Sequence, residues 1–480
     1  MNYKMVGFVL GRIFLIEAAL MLFPMGCAAI YGEWASIPAF LIPVLILLVL
    51  GLAASLKSPK DTKIYARDGL AIVALVWVLL SVFGALPFVI TGEIPSFVDA
   101  FFETVSGFTT TGSTILTDVE SLSHGILFWR SFSHWIGGMG VLVFAMAVLP
   151  MTDGRAMHLM RAEVPGPTCG KISSKLSDSA KILYAIYLAM TVIETVMLCA
   201  GGMPLFDSMV HSFGSAGTGG FGIRADSIAS YSPYCQWVIT VFMLLFGVNF
   251  NLYYLLLAKK FRAAAQSSEC WYYLGIVAAA IVLICINVRS YFASFSDTLR
   301  AASFQVVSII TTTGYSTTDF DLWPHFSRTL LMVLMVIGAC AGSTGGGMKV
   351  SRVVLLFKMA GRELKHVLHP RSVNTVKFEG KRIDGTTLKG VSSYLALYVI
   401  CVILTVLVLS AENYDITTNL SATLSCFNNI GPGLSLVGPS GSFGIFNGFS
   451  KLVLSFAMLL GRLEIIPMLV LFSPSTWLKK

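Results

Sequence analysis

Four stretches of this chain gather small, oxygen-bearing residues around a glycine: Thr110-Thr111-Gly112, Thr218-Gly219-Gly220, Thr312-Thr313-Gly314 and Asn429-Ile430-Gly431. No paired catalytic carboxylates, metal-ligand spacing or activated nucleophile accompanies them, which argues against a membrane enzyme. What such residues supply in succession is oxygen. Glycine admits positive φ and close approach, so a strand of it can turn successive carbonyls toward one axis. Rings of backbone carbonyls replace the hydration shell of a potassium-sized cation and still release it. The hydroxyls of Thr110, Thr111, Thr312 and Thr313 could add further oxygens.

The four stretches share one register. DAFFETVSGFTTTGST (99–114), DSMVHSFGSAGTGGFG (207–222), AASFQVVSIITTTGYS (301–316) and TNLSATLSCFNNIGPG (418–433) align without gaps, each with its glycine fourteenth. Ser106, Ser308 and Ser425 stand six residues before that glycine, while the second copy has Gly214 there. Small residues that let membrane helices pack would explain any one stretch. Four copies in register call for a shared role.

The surrounding elements are apolar. The 480 residues are 56% hydrophobic and only 12% charged, against about 25% charged in soluble domains, so the chain reads as an all-α polytopic membrane protein. Runs such as 37–56 and 70–90 are long enough to cross a hydrocarbon core of roughly 30 Å. The opening segment lacks a small-residue cleavage site and is expected to be a retained helix. After two leading helices (about 8–30 and 37–56), a pattern recurs four times: a long helix, a short segment, a Gly/Thr-rich stretch and a returning helix. The long helices are expected from about 69, 182, 271 and 390, and the returning ones from about 125, 234, 325 and 445. Ten crossings result. The short segments reach only half way through the bilayer. Ser96 or Asp99, Asp207, Ser296 or Asp297, and Thr417 are candidate N-caps for them.

This gives two leading helices at 1–67 and four helix–pore-loop–helix repeats at 68–170, 171–265, 266–385 and 386–480, arranged around a pseudo-fourfold central pore. The half-helices aim their partially negative C-terminal ends at one cavity, which favours a cation there. Such non-helical backbone is tolerated at membrane depth only where protein buries it or water fills a cavity.

The net charge of +8 could suggest nucleic acid, but its placement argues otherwise. Most of the Lys and Arg fall at the termini and in Lys57–Arg67, Arg155–Lys181, Lys259–Arg262 and Arg352–Lys389, expected to be cytoplasmic, with both termini, by the positive-inside rule. The opposite connections carry Glu93, Asp118, Glu120, Asp226, Asp319, Asp321, Glu412 and Asp415, which concentrate cations. The nine cysteines lack metal-ligand spacing, so neither a disulfide framework nor a zinc site is expected.

AGSTGGGMK (341–349) interrupts the third returning helix. A Walker-loop reading fails, because Met348 stands where a glycine should precede Lys349 and no strand leads in. Gly345, Gly346 and Gly347 would each cost about 1 kcal/mol in a helix interior, which argues for a functional break. Arg462 falls within the last crossing, where an ionisable residue faces a cavity or a partner. Glu464 is on another face and is a poor intrahelical partner for it. Glu17 and Glu194 also lie in helices, where a buried hydrogen bond explains them as well as a coupling role. His134 and Trp135 are read as packing residues.

Together, TTTGST, GTGGFG, TTTGYST, NNIGPGL, GACAGSTGGGMKVSR (338–352) and LLGRLEIIP (459–467) resemble the bacterial TrkH branch of the Trk/Ktr/HKT potassium transport superfamily, over essentially the whole chain. The resemblance implies potassium uptake across the bacterial inner membrane, with Gly112, Gly220, Gly314 and Gly431 as filter glycines and no organic cofactor on this chain. Glycine at 112 resembles the potassium-type members; serine there would have suggested the sodium-type plant relatives. The resemblance also implies an intramembrane gate at 341–349 with Lys349 near its cytoplasmic end. It places Arg462 beside the permeation path, and below a homodimer it implies a soluble TrkA-like ring that binds ATP or NAD. The basic segment 358–385 fits such a partner or anionic lipid headgroups. The rival expectation is an alternating-access transporter coupled to protons or sodium, a symporter. Its inverted repeat contrasts with four repeats that run in the same sense.

Overall fold

Apolar helices account for nearly all of the architecture. The computed structural model describes residues 1–56, 59, 65–140, 176–372 and 374–477. Most of the basic stretches 57–64 and 155–175, and the far part of the first returning segment, lie outside the described residues.

The leading pair is α1 (Tyr3–Ile30) and α2 (Ile37–Ser55), and α3 (Ala66–Thr91), α4 (Phe97–Phe108) and α5 (His124–Gly138) follow. Next come α6 (Leu176–Ala200), α7 (Leu205–Gly217), α8 (Pro233–Phe246), α9 (Phe250–Leu257) and the short α10 (Phe261–Ala265). The third set is α11 (Ser268–Val288), α12 (Phe295–Ile310), α13 (His325–Ile337) and α14 (Val350–Leu368). A small antiparallel hairpin, β1 (Lys377–Phe378) with β2 (Lys381–Arg382), precedes α15 (Gly385–Ser410), α16 (Ile416–Asn428) and α17 (Gly448–Arg462). The short α18 (Ile466–Phe472) and α19 (Pro474–Trp477) close the described chain.

The leading helices pack through small residues. A side-chain carbon at Gly11 would lie 2.7 Å from Ala54 Cβ and 3.0 Å from the Gly51 carbonyl oxygen, the close approach that gives membrane helices their contact. The half-length helices α4, α7, α12 and α16 have 12, 13, 16 and 13 residues. At about 1.5 Å per residue none can span.

The expected ten crossings are not ten continuous helices. Six described helices are long and apolar enough to cross a membrane, or seven if the pair α8 and α9, bent by 91°, counts as one span. The returning helices stop early for local reasons. Asn249 caps α9 by accepting the Asn251 N–H, the glycine-rich segment from Gly338 ends α13, and positive φ at Glu464 and Ile465 ends α17.

The N-caps shift as well. Ser96 caps α4 by accepting the Asp99 N–H at 3.4 Å. For the later half-helices the caps lie upstream of the expected residues. Ser294 accepts from Asp297 N and Asp415 from Thr418 N, while Pro204 precedes α7 and leaves Asp207 in its first turn. A cap must precede the N–H it accepts, and an acidic residue inside the first turn is favoured by the helix dipole without being the cap.

Candidate ion-conduction site

All four half-helices end in the same turn. Thr110, Thr218, Thr312 and Asn429 adopt left-handed backbone with φ of 57°, 57°, 60° and 56°. The next N–H in each case reaches back to the carbonyl five residues earlier: Thr111 to Ser106 and Gly219 to Gly214, both at 2.8 Å, and Thr313 to Ser308 and Ile430 to Ser425, both at 2.9 Å. The left-handed residue's own N–H donates to Gly107, Ser215, Ile309 and Cys426 respectively. This pair of bonds is a Schellman cap. It satisfies helix-end carbonyls that would otherwise be orphaned in a dry interior. Three of the four left-handed residues are β-branched threonines, a conformation that costs of order 1–3 kcal/mol and concentrates at functional sites.

Two residues further on, Gly112, Gly220, Gly314 and Gly431 again have positive φ, 80°, 73°, 86° and 109°. A side-chain carbon at Gly112 would collide with the carbonyl oxygen of Gly219. At Gly220 it would strike that of Thr313, and at Gly314 that of Ile430. At Gly431 it would lie 3.0 Å from the carbonyl oxygen of Thr111. The contacts run from the first loop to the second, third and fourth, and back to the first. Each struck oxygen belongs to the residue just before a repeat glycine, so four equivalent carbonyls form a closed ring.

The threonine hydroxyls, expected as extra cation ligands, are engaged by protein. Thr111 Oγ1 lies 2.7 Å from Thr109 Oγ1, and Thr313 Oγ1 lies 2.9 Å from Thr311 Oγ1. Thr312 Oγ1 accepts the Gly346 N–H at 2.6 Å, and Thr110 Oγ1 accepts from Arg462 at 3.2 Å. Each of these four hydroxyls thus has a protein partner beside the carbonyl ring. At Gly214 the missing serine has a steric cause: a side chain there would collide with the Tyr315 hydroxyl, which donates to the His211 carbonyl. The second loop nevertheless keeps the common turn.

The interrupting segment, 338–349, lies against these loops. Gly346 N–H donates to Thr312, and Gly347 N–H to the Asn428 carbonyl at 3.0 Å. On the opposite side Cys340 N–H bonds Gly247 O, and Phe250 N–H bonds Gly342 O. Lys349 stands at the N-cap of α14 with φ of 77°, is 2% exposed, and donates to the Gly345 carbonyl. It is buried, so it does not snorkel to an interface. Arg462 is the last residue of α17 and not a mid-helix residue. Its guanidinium reaches the carbonyls of Gly137, Gly138 and Thr344, as well as Thr110. A small cavity is lined by Gly345, Gly346, Gly347, Lys349, Gly461, Arg462 and Glu464.

This geometry has close counterparts. The sequence matches the family described as TrkH, cation transport protein, over residues 36–284 and 270–479. The chain belongs to the TrkH family. It is 36% identical over 486 residues to the Trk system potassium uptake protein TrkH of Salmonella typhimurium, covering 99% of this chain and 100% of that one. It is 34% identical over 489 residues to the TrkH of Halomonas elongata, covering 100% of both. The crystal structure of the potassium transporter TrkH from Vibrio parahaemolyticus matches with a TM-score of 0.89 at 33% identity, covering 100% of both chains.

Behind the ring, this TrkH-family chain holds polar groups whose roles are not evident from sequence. Glu103 and Arg130 form a buried ion pair at 2.8 Å, with side chains 0% and 2% exposed. Glu103 also accepts from Thr114 Oγ1 and Ile115 N, while Arg130 donates to the Gly222 carbonyl and stacks over Phe221 at 3.9 Å. The pair thus buttresses the first loop against the second. His134 does more than pack: its Nδ1 lies 2.8 Å from the Gly107 carbonyl, and its Nε2 accepts the Phe221 N–H. The available signal was a charged or imidazole side chain in a short apolar helix. Glu17 and Glu194 are buried at 2% and 0% exposure, and Glu194 lies beside Ser215, whose carbonyl takes part in the second loop's cap.

Proposed function

We propose that this chain is a channel-like potassium uptake protein of the bacterial inner membrane, with the four-loop ring as its selectivity filter. The observation that carries the reading is the closed circuit of equivalent turns, in which each glycine abuts the carbonyl of the next loop. Rings of that kind select dehydrated cations by the field of their carbonyls. The repeats at 68–170, 171–265, 266–385 and 386–480 supply four quarters of a pseudo-fourfold pore, preceded by the two leading helices at 1–67. Thr110–Gly112, Thr218–Gly220, Thr312–Gly314 and Asn429–Gly431 are its filter strands. The relatives' description as Trk system potassium uptake proteins supports potassium as cargo.

The segment carrying Gly345, Gly346 and Gly347 is the gate, held under the filter by Lys349 and Arg462. Arg462 also sets a positive charge beside the ion path, which limits cation flux. The basic stretch 358–385 meets anionic lipid or a cytosolic TrkA-like nucleotide-binding ring below a homodimer, and both termini are cytoplasmic by the positive-inside rule. Planar-bilayer recording of the purified chain tests the reading. Unitary potassium currents that lengthen or enlarge on deletion of Gly345–Gly347 are expected. Slow saturable uptake without unitary currents would favour alternating access.

A further inference from the structure

The gating segment is fastened at both ends by one carboxylate that belongs to neither the filter nor the segment itself. Glu269, in the first turn of α11, is 6% exposed. Its Oε1 accepts the Ala341 N–H at 2.8 Å and the Ser351 N–H at 3.1 Å. Ala341 lies just before the glycine run and Ser351 just after it. One oxygen therefore draws together the two ends of the segment, and the loop between them is pushed out toward Thr312 and Asn428. Charge-assisted bonds from backbone N–H groups to a carboxylate are the stronger kind, and more so where water is excluded.

The same helix end is held from the other side by the cytoplasmic hairpin. Glu379 and Gly380, with φ of 50° and 70°, form the tight two-residue turn that joins β1 to β2. The Glu379 carboxylate accepts the Glu269 N–H at 2.8 Å and the hydroxyls of Ser267 and Ser268 at 3.3 and 3.2 Å. Lys358, on the helix that leaves the gating segment, donates to the Lys377 carbonyl at 2.9 Å. The hairpin thus touches both the helix that carries Glu269 and the helix that continues from the gate.

We infer that Glu269 is the positioning residue that staples the gating segment shut, and that Glu379 links this staple to the cytoplasmic hairpin. A pull on the hairpin from the cytoplasmic side displaces the start of α11, withdraws Glu269 from Ala341 and Ser351, and releases the segment. The inference rests on the gate assigned above and adds what holds it and where force enters.

Rubidium uptake by the purified full-length chain in proteoliposomes tests this, with deletion of Gly345–Gly347 as a reference and size-exclusion elution as a check on folding. Glu269→Ala removes the acceptor and is expected to raise basal flux on the order of tenfold. Glu269→Asp, one methylene shorter, should give an intermediate rise and keeps the test informative if the alanine variant does not fold. Glu269→Gln retains a carbonyl oxygen but loses the charge assistance and should raise flux less than Glu269→Ala, a graded rescue that loss of the carboxylate by misfolding would not show. Glu379→Ala should raise flux as well, and the double variant Glu269→Ala/Glu379→Ala should match Glu269→Ala alone, because the two residues act in series. Folded Ala and Asp variants with unmodified flux, beside a deletion that raises it, would overturn the staple while leaving the gate. A deletion without effect would instead remove the gate itself. Multiplicative effects in the double variant would overturn the series link.

Discussion

The four repeat glycines are not equivalent at the level of single atoms. Gly112, Gly220 and Gly314 each leave no room for a side-chain carbon against the next carbonyl, whereas Gly431 keeps 3.0 Å to Thr111 O. Gly314→Ala is therefore expected to abolish most potassium flux, and Gly431→Ala to retain a larger fraction with weaker discrimination against sodium; paired rubidium and sodium uptake reads both. Equal losses at the two positions would contradict this ranking. The glycines were legible because register exposed them. The partners of the threonine hydroxyls were not, since an oxygen in sequence does not reveal whether a cation, a neighbouring hydroxyl or a distant backbone N–H engages it. Arg462 was legible as a costly charge at membrane depth, but its carbonyl partners come from α5 and the glycine-rich segment 338–349, far away in the chain.

At the scale of elements, the repeated Schellman cap explains why threonine-rich runs follow half-length helices. Asparagine adopts left-handed backbone more readily than β-branched threonine. Thr218→Asn, which installs the residue found at the equivalent position 429, should raise stability by about 1 kcal/mol, visible as a higher Tm in detergent. An unchanged or lower Tm would show that the cap is not strained. The ion pair behind the first two loops acts in the opposite sense. Arg130→Leu leaves Glu103 buried without its cation and should cost about 3–5 kcal/mol, read as loss of monodisperse protein or a sharp fall in Tm. Helix positions were readable from apolar periods and their lengths. The caps at Ser294 and Asp415 were missed because nearby Ser, Thr and Asp compete for the same role. The hairpin at 377–382 was missed because two-residue strands leave no periodic signal, although Gly380 is a turn-forming residue.

At the scale of the whole molecule, the sequence displays four copies in one direction but not their closure into a ring. Closure depends on contacts between residues far apart in the chain, from Gly220 with Thr313 to Gly431 with Thr111, and no local pattern encodes them. Separation in the chain likewise hides the fastening of the proposed gate, where Glu269 on α11 reaches Ala341 and Ser351, 72 and 82 positions away. The proposed filter requires this closed ring of carbonyls to select potassium. Its most direct test is the reversal potential of the purified chain in a planar bilayer with potassium on one side and sodium on the other. A displacement toward the potassium equilibrium of at least about 59 mV, one decade of preference for a monovalent ion, is predicted; a reversal potential near zero would contradict the account.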